Sequence, residues 1–223
     1  MKVIIFGATG MVGQSVLRES LLDSEVERVL VVGRSSIGVE HEKLKAIVHK
    51  DFFDFSNMEA NLSGYDACFF CLGVSSAGMT ERDYTRVTCD VTMAAAEVLA
   101  RKNPRMTFIY ISGAGTDSSE HGRSMWARVK GRTENALLKM PLKAYMFRPG
   151  YIQPMHGIKS KTKLYSAAYT VVAPLYPLLR RLAPKYVTTT EQLGRAMICV
   201  AKHGTPKRVL ESEDINRCCD KAS

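Results

Sequence analysis

Residues 2–13 read KVIIFGATGMVG. A β-branched apolar run, Lys2 to Phe6, leads directly into glycines at 7, 10 and 13, and Val12, Val16 and Leu17 then fall on one stripe of a helix. Passing this sharply from strand to helix requires glycine, and bare backbone lets N–H groups approach an anion that the positive helix end also attracts. The backbone of Gly7, Thr9, Gly10, Met11, Val12 and Gly13 is therefore a candidate pyrophosphate loop. The competing reading is a glycine turn without a ligand; the strand before it and the amphipathic helix after it favour the phosphate.

Beyond this unit, short strand-like runs alternate with helical patterns. The runs are 28–33 (RVLVVG), 45–49, 66–71 (DACFFC), 106–111, 143–147 and 207–211; between them lie one long helix over 80–103 and others over 125–140 and 188–204. Continuous apolar strands separated by helices predict a parallel sheet covered on both faces. The expected fold is α/β: a doubly wound Rossmann sheet in three α/β/α layers. The chain reads as a single domain, 1–223. A small substrate-side lobe at about 151–187, where the alternation breaks, precedes the last helix and strand.

A chain of 223 residues with 46% apolar content can bury one large core. No uninterrupted apolar run reaches the roughly 18 residues of a spanning helix, and the N-terminus lacks the pattern of a secretory signal. These features give a cytoplasmic expectation. Cys68 and Cys71 form a CxxC, but three residues along a strand point to opposite faces, so core cysteines are expected rather than a metal or redox pair. The formal charge of +9 admits a nucleic acid, an anionic membrane or a phosphate-rich ligand. No helix has the basic density interleaved with aromatics of a nucleic-acid reader, which leaves no nucleic acid among the expected partners.

GATGMVG, VVGR, HKDFFD, CLGVSS, YISGAG, MWARVKG, FRPG and YVTTTEQLG occur in that order. With GxxGxxG glycine spacing, the chain resembles the extended and atypical short-chain dehydrogenase/reductase superfamily. Within it, the chain resembles small NAD(P)-binding, epimerase-like proteins related to the human Tat-interacting oxidoreductase-like protein. The resemblance covers nearly the whole chain and implies a dinucleotide cofactor and an oxidoreductase or epimerase acting on a small molecule, as monomer or homodimer.

Several site residues follow from the resemblance. Arg34, with Ser35, stands where an acidic residue would hold the adenine ribose hydroxyls; a guanidinium suits a 2′-phosphate, so NADP(H) is expected over NAD(H). An arginine that merely stacks on adenine or is solvated remains the alternative. Asp51 and Phe52 resemble the family's pair beside the adenine, although an aspartate here also suits a turn. Leu72, Gly73 and Val74 are expected along the ribose and phosphates. Pro149 and Gly150 are expected along the nicotinamide.

Ser112 and Lys130 match the superfamily's catalytic serine and lysine, and the resemblance implies that Lys130 also binds the nicotinamide ribose. The tyrosine four residues before the lysine is replaced by Trp126, whose indole has one N–H donor and no useful ionisation. Three readings follow: another acid acts, with Tyr151, His156 and His121 as candidates; the domain binds dinucleotide as a non-catalytic sensor; or Lys130 itself, or a water, moves the proton.

The segment 158–185 sets apolar, tyrosine-containing sequence between Lys159, Lys161, Lys163 and Arg180, Arg181, Lys185. A substrate lobe for an apolar or acidic compound is favoured; a weak peripheral membrane contact is the alternative, and with it a membrane platform as a third function.

Overall fold

The structure is a computed structural model and describes residues 1–158, 176, 181 and 183–220. Seven parallel strands form the central sheet: β1 (Lys2–Phe6), β2 (Arg28–Gly33), β3 (Leu44–Val48), β4 (Ala67–Phe70), β5 (Thr107–Ile111), β6 (Lys143–Arg148) and β9 (Val209–Glu211). Their order is β3-β2-β1-β4-β5-β6-β9. The strand order reverses between β1 and β4, so a crevice opens beyond their carboxyl ends, where ligands bind in sheets of this kind.

Alternate strand residues feed two cores. Val3 and Ile5 join Val16 and Leu17 of α1 (Met11–Leu22) and Leu193 and Met197 of α5 (Thr190–His203). Ile4 and Phe6 face the other way, onto Ala95 and Leu99 of α3 (Val91–Lys102) and Leu137 of α4 (Met125–Leu138). Cys68 packs into this second core and Cys71 against the first, the opposite-face placement that strand geometry requires.

The long helix expected over 80–103 is divided. A five-residue α2 (Glu81–Thr85), capped by the Thr80 side chain accepting from the Asp83 N–H, runs into a widened π turn (Arg86–Asp90) before α3. Within that region the Thr92 hydroxyl donates to the Thr88 carbonyl at 2.5 Å, a side-chain bond of the kind that loosens a helix ladder. The N-terminus of α5 is closed by a capping box, the Thr189 hydroxyl accepting from the Gln192 N–H and the Gln192 side chain accepting from the Thr189 N–H.

Sequence periodicity missed a small second sheet, β7 (Tyr151–Gln153) paired in parallel with β8 (Val187–Thr189), and the closing helix α6 (Ser212–Asp220). Three-residue strands carry too little pattern to be read. The basic side chains of Lys159, Lys161, Lys163 and Arg180, and most of the expected substrate lobe, lie outside the described residues. Among the described residues no helix is long and apolar enough to cross a membrane.

Candidate functional site

Beyond β1 the chain turns at Gly7, whose φ of +79° favours glycine and where a Cβ would stand 2.8 Å from the Cys71 carbonyl. Gly13 lies still closer: a Cβ there would meet the Gly7 carbonyl oxygen at 2.1 Å. These two glycines seat α1 against β1 and β4. Gly10 differs, since a Cβ on it would meet nothing nearer than 3.4 Å. It caps α1 without a side-chain bond, and so leaves the first-turn N–H groups of Met11, Val12 and Gly13 free for an anion. The Thr9 carbonyl accepts from the Gln14 amide at 3.0 Å, bracing the loop.

A cavity of about 410 Å³ opens beyond the ends of β2, β3 and β4, lined among others by Arg34, Asp51, Phe52, Leu72, Gly73 and Val74. The residues expected around the adenosine half of a dinucleotide are thus brought together, with the exposed Ser35 beside Arg34. Arg34 is exposed and makes no hydrogen bond or ion pair among the described residues. One Asp51 oxygen accepts from the Phe53 N–H at 2.9 Å, so the turn role exists together with the place on the cavity wall. Phe52 is buried and packs edge-on against Phe6 at 6.1 Å, forming floor rather than exposed wall. Lys50, Phe53, Val87 and Val91 complete the lining and went unread in the sequence. Lys50 was visible next to Asp51 but carried no pattern of its own.

The second half of the site gathers where β5 and β6 end. The Ser112 and Gly113 N–H groups both donate to the Phe147 carbonyl, and the Ala114 N–H to the Pro149 carbonyl at 2.9 Å. The Pro149–Gly150 turn is thereby fixed beside residues 112–114. Glycine at 150 is required by packing: a Cβ would stand 2.5 Å from the Tyr186 carbonyl. Ser112 is buried, and its hydroxyl donates to the Phe147 carbonyl at 3.1 Å. What Ser112 presents to its neighbour is its own carbonyl, which accepts from the Lys130 ammonium.

Burial lowers Lys130 to about 8, while Glu134, one helical turn further on, opposes that fall. Glu134 is itself 1% exposed and holds both Nε and Nη2 of Arg148. Arg148 also donates to the Ser118 hydroxyl at 2.5 Å. The helix that carries Lys130 and the strand β6, which ends in Arg148 just before Pro149, are therefore joined by a buried ion pair. Sequence reading missed this pair, although Glu134 stands four residues after Lys130 and Arg148 is the arginine of FRPG.

Trp126 lies on the same helical face as Lys130, its ring edge 3.5 Å from where a Cβ on Gly115 would stand. It packs over the loop that follows β5. Of the other candidate acids, Tyr151 donates to the Gln153 amide oxygen at 2.8 Å, and burial together with Tyr176 pushes its phenol up, away from neutrality. His156, at a φ of +55°, bonds Glu191 at 2.7 Å at the start of α5. His121 is exposed on the loop before α4. The charged neighbour of Lys130 is Glu134 rather than any of these three.

The loop, the apolar cavity with its exposed guanidinium and the β5–β6 end all lie at the carboxyl ends of the parallel strands, where sheets of this kind bind ligands. A family model described as NAD(P)H-binding matches residues 7–173. The chain belongs to the NAD(P)H-binding family. With that, the resemblance to the atypical short-chain dehydrogenase/reductase superfamily holds for the dinucleotide-binding fold.

It is 28% identical over 154 residues to Protein HTATIP2 of Rattus norvegicus, a match covering 67% of this chain and 62% of that protein. The match therefore spans under two thirds of the rat protein's length. Protein FMP52, mitochondrial, of Meyerozyma guilliermondii is 25% identical over 209 residues, covering 90% and 85% of the two chains. In fold, the chain is similar to Gre2 in complex with NADPH from Candida albicans, with a TM-score of 0.72 at 12% identity over 95% of this chain and 78% of that one. It is likewise similar to a UDP-N-acetylglucosamine 4-epimerase from Methanobrevibacter ruminantium, with a TM-score of 0.68 at 15% identity over 98% and 80%.

Proposed function

We propose that this NAD(P)H-binding protein prefers NADP(H) and serves as an oxidoreductase for a small carbonyl or hydroxyl compound, with Lys130 moving the proton that a tyrosine moves in its relatives. The cofactor, when bound, supplies or accepts the hydride. Arg34, exposed and unpaired on the cavity, suits a 2′-phosphate through its forked donors. The loop from Gly7 to Gly13 would receive the pyrophosphate, and Pro149 would bound the nicotinamide end.

The observation that carries the reading is Lys130 itself. An ordinary lysine near 10.5 is a poor acid at neutral pH, whereas burial brings this one to about 8, within the range of efficient general acids. In the reducing direction the Lys130 ammonium would give its proton to the oxygen of the reduced carbonyl and regain one from solvent. Trp126, unable to ionise, would cover the substrate side.

A second reading, a dinucleotide sensor without chemistry, is favoured by the Ser112 hydroxyl being spent on Phe147. Two measurements separate these possibilities. Calorimetric titration should give tighter binding of NADPH than NADH, with the difference lost in Arg34→Ala; equal affinities in the wild type overturn the preference. Stopped-flow oxidation of bound NADPH across aldehydes, ketones and quinones should find turnover that Lys130→Met abolishes. Tight binding with no turnover anywhere supports the sensor, and unchanged turnover in Lys130→Met removes the lysine from the proton step.

A further inference from the structure

We infer that Lys50 is a second determinant of the phosphate on the adenine ribose, closing on it with Arg34 from the neighbouring strand end. The inference deepens the cofactor reading above and rests on it. Strands β2 and β3 run parallel with Gly33 opposite Val48, and the His49 N–H donates to the Gly33 carbonyl at 2.9 Å. Arg34 and Lys50 therefore leave the sheet from adjacent strands, whose spacing is about 5 Å. His49 between them turns inward: its Nε2 lies 2.8 Å from the Asp54 carbonyl oxygen and its ring stacks on Phe55 at 5.1 Å. Lys50 is left outside, on the same cavity as Arg34.

Both cations are exposed, and among the described residues neither has a carboxylate partner. That sets them apart from Arg18, Arg101, Arg128, Arg148 and Lys202, each of which is paired with an acid. Among the described residues that line the cavity Asp51 is the one acid, and one of its oxygens is taken by the Phe53 N–H. The remaining wall is apolar, with Phe52, Leu72 and Val91. Two like charges held beside one apolar recess repel each other until an anion joins them. An adenosine whose ribose bears an additional phosphate satisfies both halves of the recess, the flat base against the apolar wall and the phosphate between the cations. Arginine offers that phosphate a planar fork and lysine a compact point charge, so the two approach it without competing for one geometry.

The test is calorimetric titration of the full chain with NADPH, NADH, 2′,5′-ADP and 3′,5′-ADP, with a melting curve for each variant as a control on folding. Lys50→Ala should weaken NADPH and 2′,5′-ADP by about tenfold, the scale of one charged hydrogen bond, and leave NADH within twofold. Lys50→Arg should recover most of the loss, and Arg34→Ala with Lys50→Ala should bring NADPH to the affinity of NADH. An NADPH-to-NADH ratio unmoved by Lys50→Ala, while Arg34→Ala lowers it, overturns the inference and leaves the cofactor reading standing. A wild type without any preference, insensitive to Arg34→Ala, overturns both. Equal binding of 2′,5′-ADP and 3′,5′-ADP overturns the assignment to the 2′ position.

Discussion

Replacing Gly13 and Gly10 by alanine one at a time separates the architecture of the phosphate loop from its ligand role. At Gly13 the added methyl would stand 2.1 Å from the Gly7 oxygen, 2.6 Å from the Gly7 carbonyl carbon and 2.8 Å from the Ala8 Cα. All three are backbone atoms that no rotamer can move. Restoring an ordinary contact of about 3.5 Å requires the start of α1 to shift by about 1.4 Å, which disturbs Val16 and Leu17 in the core. Overpacking of this kind costs 1–3 kcal/mol, and a backbone clash belongs near the upper end, about 3 kcal/mol. For a chain of this size, each kcal/mol lowers Tm by roughly 2–4 °C, so Gly13→Ala should melt about 6–12 °C below the wild type. Gly10 has a φ of −81° and a nearest contact of 3.4 Å, so alanine fits there at a cost of about 1 kcal/mol or less as a helix cap. Its methyl would nonetheless stand where backbone N–H groups must meet the pyrophosphate, and NADPH affinity should fall by tenfold or more. Thermal melting and titration of NADPH against fluorescence from Trp126, the one tryptophan in the chain, read the two effects separately. A Gly13→Ala melt within 2 °C of the wild type refutes the close-packing argument, and a Gly10→Ala variant that binds NADPH normally refutes the placement of the loop.

Lys130 also gives stability a pH dependence of definite sign. Its folded value of about 8 lies below the ordinary 10.5, so below pH 8 both states carry the proton and the cost of the buried charge is fully present. Between about 8 and 10.5 the unfolded chain binds more protons than the folded one, and stability rises with pH. In urea unfolding across that window the wild type should gain on Lys130→Met, by no more than about 3 kcal/mol in all; a flat or falling difference contradicts the burial of the ammonium. Glu134→Ala should destabilise the protein by about 3 kcal/mol in the same assay, because an Arg148 that is only 12% exposed loses its two-pronged partner and keeps only the Ser118 hydroxyl and a looser pair with Glu211 at 3.7 Å. It should also lower the Lys130 titration further, read from its 13Cε chemical shift, since the opposing carboxylate is gone. A loss under 1 kcal/mol, or an upward titration, rejects the coupling.

Much of the molecule was legible in its residues, because covalent neighbours and backbone periodicity carry that information. KVIIFGATGMVG specifies strand, glycine turn and amphipathic helix within twelve residues, and the apolar runs after it specify a parallel sheet. The identities of Gly7 and Gly13 follow from what a tight turn and a close approach demand of single residues, and Arg34 was legible as the side chain that a phosphate would suit. Tertiary structure decided what depends on pairs distant in sequence. It turned the Ser112 hydroxyl inward to Phe147, made Gly150 a matter of the Tyr186 carbonyl, and divided the long helix at Arg86–Asp90. It brought Lys50 beside Arg34 and set Glu134 and Arg148 behind Lys130. The sequence shows a lysine at 130 and not its acidity. That depends on how much water reaches the ammonium and on which carboxylate faces it, and both are fixed only when α4 packs on the sheet.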